Sequence, residues 1–194
     1  IDLGKMAALH GADAVMVAPS AEGVPSDARV AEYFARVCAA STLPVVLQDH
    51  PASTAVHMTA ALIARVAADN ARIMCIKAEA VPSAPKIAAL RAALAHEIPM
   101  LTGLGGLYGQ FDLDAGSSGY NTGFAFPEVL QAQVHAHVAG DAALARRIWA
   151  HFLPLIVFEQ QPGVAVRKEL LRRRGLLAEA TVRHPGAALA QVSA

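Results

Sequence analysis

Four lysines occur in the chain, and one stands apart. Lys77 ends the apolar run Ile73-Met74-Cys75-Ile76, whereas Lys5, Lys86 and Lys168 fall in helical patterns that predict solvated side chains. The run reads as a strand. Strand side chains alternate, so Cys75, Lys77 and Glu79 are expected on one face, with Met74 and Ile76 on the other. Burial at a strand end disfavours an ammonium ion, and a neutral amine is a nucleophile toward carbonyl carbon. Glu79 works the other way, because a nearby carboxylate stabilises the charged amine, unless it serves as a proton shuttle for a bound substrate. Spacing alone leaves open both a nucleophilic lysine and a strand-end ion pair.

Other polar residues carry weaker signals. His50 shares strand parity with Gln48 and reads either as a base or as a hydrogen-bonded rim residue. His135-Ala136-His137 lies in a helical stretch with the wrong spacing for joint ligation from one face, so no metal site is expected. Cys38 and Cys75 occupy unrelated segments without metal-type spacing and read as buried thiols in a reducing cytoplasm.

The elements that must position Lys77 follow a regular rhythm of short aliphatic run, turn and amphipathic helix. Strands are predicted at 14–17, 44–48, 73–77, 99–102 and 118–122. Ser26 is placed to cap a helix carrying Val30, Phe34 and Val37. Thr59 is placed to cap one burying Leu62, Ile63 and Val66. Ser83, with Pro85 in the first turn, opens one with Ile87, Leu90 and Leu94 inward. Such alternation implies βαβ units and a parallel sheet. After the fifth strand, 127–138, 141–158 and 162–174 read as successive helices, the last stopped by Gly175 behind Arg172-Arg173-Arg174. The expected division is 1–126 for the strand-containing part and 127–194 for a helical region. Residues 1–10 are already amphipathic and open a βα series inside a helix, while a complete (β/α)8 barrel needs ~250 residues. The chain is therefore expected to be a barrel fragment whose sheet is open, or covered by another chain, before Ala14.

Composition excludes several classes. Sixteen basic residues balance sixteen acidic ones, with no basic block among aromatics, so nucleic acid is not an expected partner. The strongest apolar run, Leu153 to Phe158, is too short to cross a bilayer. The first residues lack the layout of a signal peptide.

Taken in order, the segments resemble the dihydrodipicolinate synthase and N-acetylneuraminate lyase family. Gly11-Ala12-Asp13-Ala14-Val15-Met16-Val17 is similar to the entry to that family's fourth barrel strand, and Leu43 to Pro51 to its fifth. Cys75-Ile76-Lys77-Ala78-Glu79-Ala80 is similar to the Gly-Ile-Lys-Glu-Ala segment whose lysine forms a Schiff base. Leu101-Thr102-Gly103 and Gly119-Tyr120-Asn121-Thr122-Gly123 resemble strands seven and eight, and Gln161 to Lys168 a late helix-opening segment. The resemblance implies an α/β (β/α)8 TIM barrel, here about its last five parallel strands plus C-terminal helices. It further implies a class I Schiff-base lyase that acts on a small 2-keto acid without a cofactor, as a homotetramer in the cytoplasm. It places Gly103 near the imine and Asn121 and Thr122 at the rim. Ordinary turn chemistry explains those positions equally well.

Departures from the pattern narrow the expectation. Gln48 stands where synthases and aldolases carry a proton-relaying tyrosine, and Ser53 where the family has an arginine. Glu79 adds a carboxyl group that ordinary aldolases lack. Gln48 with Lys77-x-Glu79 resembles the branch that dehydrates 2-keto-3-deoxy sugar acids, in particular L-2-keto-3-deoxyarabonate. This implies catalytic roles for Lys77, Glu79 and Gln48, with His50, Gly103, Asn121 and Thr122 binding substrate. The alternatives are a 4-hydroxy-tetrahydrodipicolinate synthase or other pyruvate-dependent aldolase, and a non-catalytic binding protein on a decayed lyase fold. An unrelated flavodoxin-like open sheet is the remaining structural alternative.

Overall fold

The computed structural model describes residues 1–20, 25–161 and 163–189. The chain opens with α1 (Asp2–Leu9), β1 (Val15–Val17), α2 (Asp27–Ala40) and β2 (Val45–Asp49). Next come α3 (Pro51–Thr54), α4 (Ala60–Asp69), β3 (Ile73–Ala78), α5 (Ser83–Ala93) and β4 (Met100–Thr102). A 3-10 turn at Leu104–Gly106 leads to α6 (Gly109–Asp114) and β5 (Gly119–Tyr120). Three helices close the chain: α7 (Pro127–Val138), α8 (Ala142–Gln160) and α9 (Val164–Arg173). Pro162, read from sequence as opening the last helix, lies outside the described residues. The five strands form one sheet in sequence order, and β1–β2, β2–β3 and β3–β4 pair in parallel. On the outer side of β1, Ile1, Leu3, Val15, Val17 and Tyr33 line a groove of about 460 Å³, and no described strand pairs there.

Contacts divide the chain into two compact units, 1–102 with 111–119 and 103–110 with 120–194. In the first unit, the core forms where alternate strand residues meet helices. Val45, Leu47, Ile73, Ile76, Ala78 and Met100 pack with Phe34 of α2, Ile63 and Val66 of α4, and Ile87 and Leu90 of α5. The helix starts follow their caps. The Ser26 hydroxyl accepts from the Arg29 amide, and Thr59 accepts from Leu62. Ser83 departs from expectation: Pro82 is the cap, and the serine is the first helical residue with its hydroxyl turned elsewhere. Cys38 is buried as expected, but Cys75 is only half-buried.

The alternation read along β3 also needs correction. Val45 pairs with Ile73 and Val46 with Cys75, so Met74 is an extra residue in a bulge. The bulge puts Ile73 and Ile76 into the same core despite their odd spacing, and leaves Met74 58 % exposed. Beyond it, Ile76 and Ala78 are buried in the helix-facing core, and Lys77 takes the opposite parity.

In the second unit, Phe124, Leu130 and Ile156 form a core with Trp149, Phe152 and Leu155 against it. Arg174 stacks over Phe126 with its guanidinium carbon 4.4 Å from the ring centre. The α9 helix ends as the sequence implied. Gly175 takes φ +75°, and its amide and that of Leu176 bond back to the carbonyls of Arg172 and Leu171.

Candidate active site

The parallel register sets the site. Gln48 on β2 lies directly beside Lys77 on β3, and Glu79 follows one residue past the strand end. The Glu79 amide donates to the Asp49 carbonyl at 2.8 Å, which extends the ladder just beyond the strand. The three side chains meet on one oxygen. Glu79 Oε2 lies 3.1 Å from Lys77 Nζ and accepts a 2.7 Å hydrogen bond from Gln48 Nε2. Lys77 and Glu79 are nearly buried, at 8 % and 6 % exposure. Such a pair is poorly screened by solvent. Gln48 presents an amide donor to the carboxylate and has no titratable proton near neutral pH.

A second charged pair lies behind this one, on a residue that the sequence reading did not single out. Asp49 shares the parity of Val45 and Leu47, so its carboxylate enters the helix-facing core, where it is fully buried. Lys86 of α5 reaches it at 3.1 Å and donates to the Met58 carbonyl. The Lys86 side chain is only 18 % exposed, so it is not the solvated lysine that its helical context implied. The contact with Asp49 is an ion pair rather than an aligned hydrogen bond, and neither carboxylate oxygen accepts a well-formed bond. Burial therefore pushes the Asp49 carboxyl up, against the opposing pull of Lys86, His57 and His50. The strand's period of two places Asp49 at a core parity position, but its meeting with Lys86 of α5 is visible only in the fold.

The remaining candidates have other partners. His50 caps α3, and its Nδ1 lies 2.8 Å from Ser53 Oγ. Its ring is thus engaged at the start of that short helix. In the second unit, Gly103 precedes the 3-10 turn, and Asn121 is exposed just after β5. Thr122 Oγ1 accepts from the Gly105 amide at 2.6 Å. Gly105 itself has φ +68°, a conformation that favours glycine, and a Cβ there would meet the tip of the Gln160 side chain, which would have to shift. The loop after β5 is held by Glu159, which is fully buried. Its carboxylate accepts from the Ala125 amide at 3.2 Å and from Arg167 Nε at 2.9 Å.

A lysine beside a carboxylate at the C-terminal end of a parallel strand, with helices packed behind, is the arrangement of the barrel enzymes, whose chemistry gathers at strand ends. The match to known proteins is specific. Residues 1–193 fit the dihydrodipicolinate synthetase family, and the chain belongs to it. It is 34 % identical over 184 residues to L-2-keto-3-deoxyarabonate dehydratase of Azospirillum brasilense, covering 90 % of this chain and 58 % of that protein. It is 31 % identical over 179 residues to 4-hydroxy-tetrahydrodipicolinate synthase of Cutibacterium acnes, covering 88 % and 58 %. The crystal structure of dihydrodipicolinate synthase from Rhodopseudomonas palustris superposes with a TM-score of 0.92 at 34 % identity, over 99 % of this chain and 66 % of that one. A prophage protein of the family from E. coli K12, solved in complex with pyruvate, superposes with a TM-score of 0.87 at 27 % identity, covering 99 % of this chain and 66 % of that one. The fold is thus that of the (β/α)8 barrel, of which this chain carries five parallel strands, and the chain spans 58 % of the length of the two relatives above.

Proposed function

We propose that the protein is a Schiff-base lyase that removes water from a 2-keto-3-deoxy sugar acid, with Lys77 as the covalent residue. The observation that carries this reading is the shared Glu79 oxygen, held by Lys77 and Gln48 together. In this reading the Glu79 carboxylate beside the amine takes the C3 proton, and Gln48 offers no phenol for a C4 hydroxyl proton. The relative named as a dehydratase, at 34 % identity, supports the same choice.

The steps follow from those groups. The neutral Lys77 amine adds to the C2 ketone, and loss of one water gives a protonated imine, which acidifies the C3 hydrogens. Glu79 takes a C3 proton to form the enamine. It returns that proton to the departing C4 hydroxyl, which leaves as water and produces a conjugated imine. A C5 proton and the C5 hydroxyl proton then move to C3 and C4, which turns the terminal alcohol into an aldehyde. Hydrolysis then frees Lys77 and the semialdehyde of 2-oxoglutarate. Gln48 orients the carboxylate and a substrate hydroxyl. His50, Gly103, Asn121 and Thr122 contribute to substrate binding in this reading, and the family resemblance adds a cytoplasmic homotetramer.

A second reading, a pyruvate-dependent synthase or aldolase, draws on the relative named as a synthase at 31 % identity and on the pyruvate complex of the E. coli protein. Product analysis separates the two. Borohydride should fix a 2-keto-3-deoxy acid to the peptide containing Lys77, and turnover should yield semialdehyde without pyruvate. Pyruvate plus an aldehyde would move the protein to the second reading. Absence of any trapped imine would leave a non-catalytic binding protein.

A further inference from the structure

Asp112 is 1 % exposed and is held by two hydroxyls and, among the described residues, by no cation. Ser83 Oγ donates to its Oδ1 at 2.6 Å, and Thr102 Oγ1 donates to its Oδ2. Both donors are themselves buried, at 3 % and 2 % exposure. An anion in that setting is expensive, and burial pushes its carboxyl up. Its two anchor points explain why it sits there. Ser83 opens α5, with only Ala80, Val81 and Pro82 between it and Glu79. Thr102 ends β4, one residue past Leu101, the register partner of Lys77.

We infer that Asp112 is a positioning residue for the catalytic pair: through Ser83 and Thr102 it fixes the segment after Glu79 and the strand beside Lys77, and so holds the Glu79 carboxylate on the amine. This rests on the reading of Glu79 as the proton-transferring group. The tether anchors the far end of the segment from Glu79 to Pro82, whose near end is held by the ladder bond to Asp49 and by the contacts of the Glu79 carboxylate with Lys77 and Gln48. The Ser83 hydroxyl explains its own departure from helix capping, since it is committed to Asp112. Imine formation needs only Lys77 and a ketone, whereas water loss needs Glu79 aligned with the C3 proton and the C4 hydroxyl. The two steps therefore respond differently to a displaced Glu79.

The test compares Asp112→Ala, Asp112→Asn and Ser83→Ala in the complete protein. With pyruvate as the trapping probe, all three variants should form the Lys77 imine within about twofold of the unsubstituted protein. Asp112→Ala and Ser83→Ala should slow dehydration by about tenfold or more, as small misplacements of reacting groups do. Asp112→Asn, which keeps an oxygen for one hydroxyl, should recover most of that loss. Equal slowing of trapping and dehydration, no rescue by asparagine, or no effect on either step would overturn the inference. Hydrogen exchange reads the tether without any activity. The amides of Glu79, Ala80, Val81 and Ser83 should exchange faster in Asp112→Ala and Ser83→Ala while those of α2 stay unchanged, and unchanged exchange at these four would also overturn it. If the unsubstituted protein traps no imine, the Schiff-base reading fails, and exchange still decides whether Asp112 holds this segment.

Discussion

At the residue scale, Glu79 and Gln48 separate what the lysine does from what its neighbours do. Glu79→Gln keeps a polar side chain of the same size beside Lys77 but cannot accept a proton. Imine trapping should persist while water loss slows on the order of 10²-fold, read by borohydride labelling against turnover. Loss of both together would make Glu79 a structural partner of the lysine. Gln48→Tyr restores a phenol at that strand position, and the expected outcome is weak formation of pyruvate at the expense of semialdehyde, read by product chromatography. The sequence made these three residues legible because each breaks a local rule: a lysine ending an apolar strand, a carboxylate two residues on, a glutamine where the family resemblance calls for tyrosine. Asp49 and Asp112 were not legible in the same way. Their significance lies in hydroxyls and a lysine that come from other elements, and no spacing within one segment reveals such a meeting.

Among the elements, β3 and α5 show where pattern reading holds and where it stops. Every sheet strand and each helix from α7 to α9 falls where aliphatic runs and amphipathic periods put it, within a few residues at the ends. The Met74 bulge was invisible because a period of two cannot register an inserted residue, and only pairing with β2 reveals it. The solvated reading of Lys86 failed for a related reason. A helical stripe says which residues face the sheet, but a long side chain at its border reaches inward when a buried acid calls for it. Lys86→Met should therefore destabilise the fold by about 3 kcal/mol near neutral pH, because it strands the Asp49 carboxylate in the core. Joint replacement with Asp49→Asn should cost clearly less than the single change. Urea midpoints measure both, with the slope of the transition unchanged. A single change as mild as the double one would mean that Asp49 carries no charge beside Lys86.

For the molecule as a whole, buried acids set how stability responds to pH. Burial pushes up the carboxyls of Asp49 and Asp112 in the first unit and Glu159 in the second, against opposing hydrogen bonds or ion pairs in each case. A raised folded value means that the folded chain holds the proton more tightly than the unfolded chain. The contribution is fully present below the ordinary carboxylate values, about 3.9 for Asp and 4.3 for Glu. It is lost as pH rises through the raised values, because unfolding then releases protons. Glu169 has the opposite sign. Its hydrogen bonds to Arg172 and Arg173 hold it down to about 2, so its contribution is present above the ordinary value and lost as pH falls toward about 2. It sits on the surface of α9 and is weakened by salt. Asp112 isolates the buried effect, since no cation is left unpaired when its charge is removed. Asp112→Asn should therefore gain stability relative to the unsubstituted chain as pH rises from about 4 toward neutrality. Below that range, where both forms are uncharged at this position, the difference should level off. Urea midpoints measured in steps across the range, at fixed ionic strength, give the two curves directly. Curves that stay parallel would show that Asp112 titrates alike in the folded and unfolded chains, and a widening deficit for the asparagine form would show that the charge itself stabilises the fold.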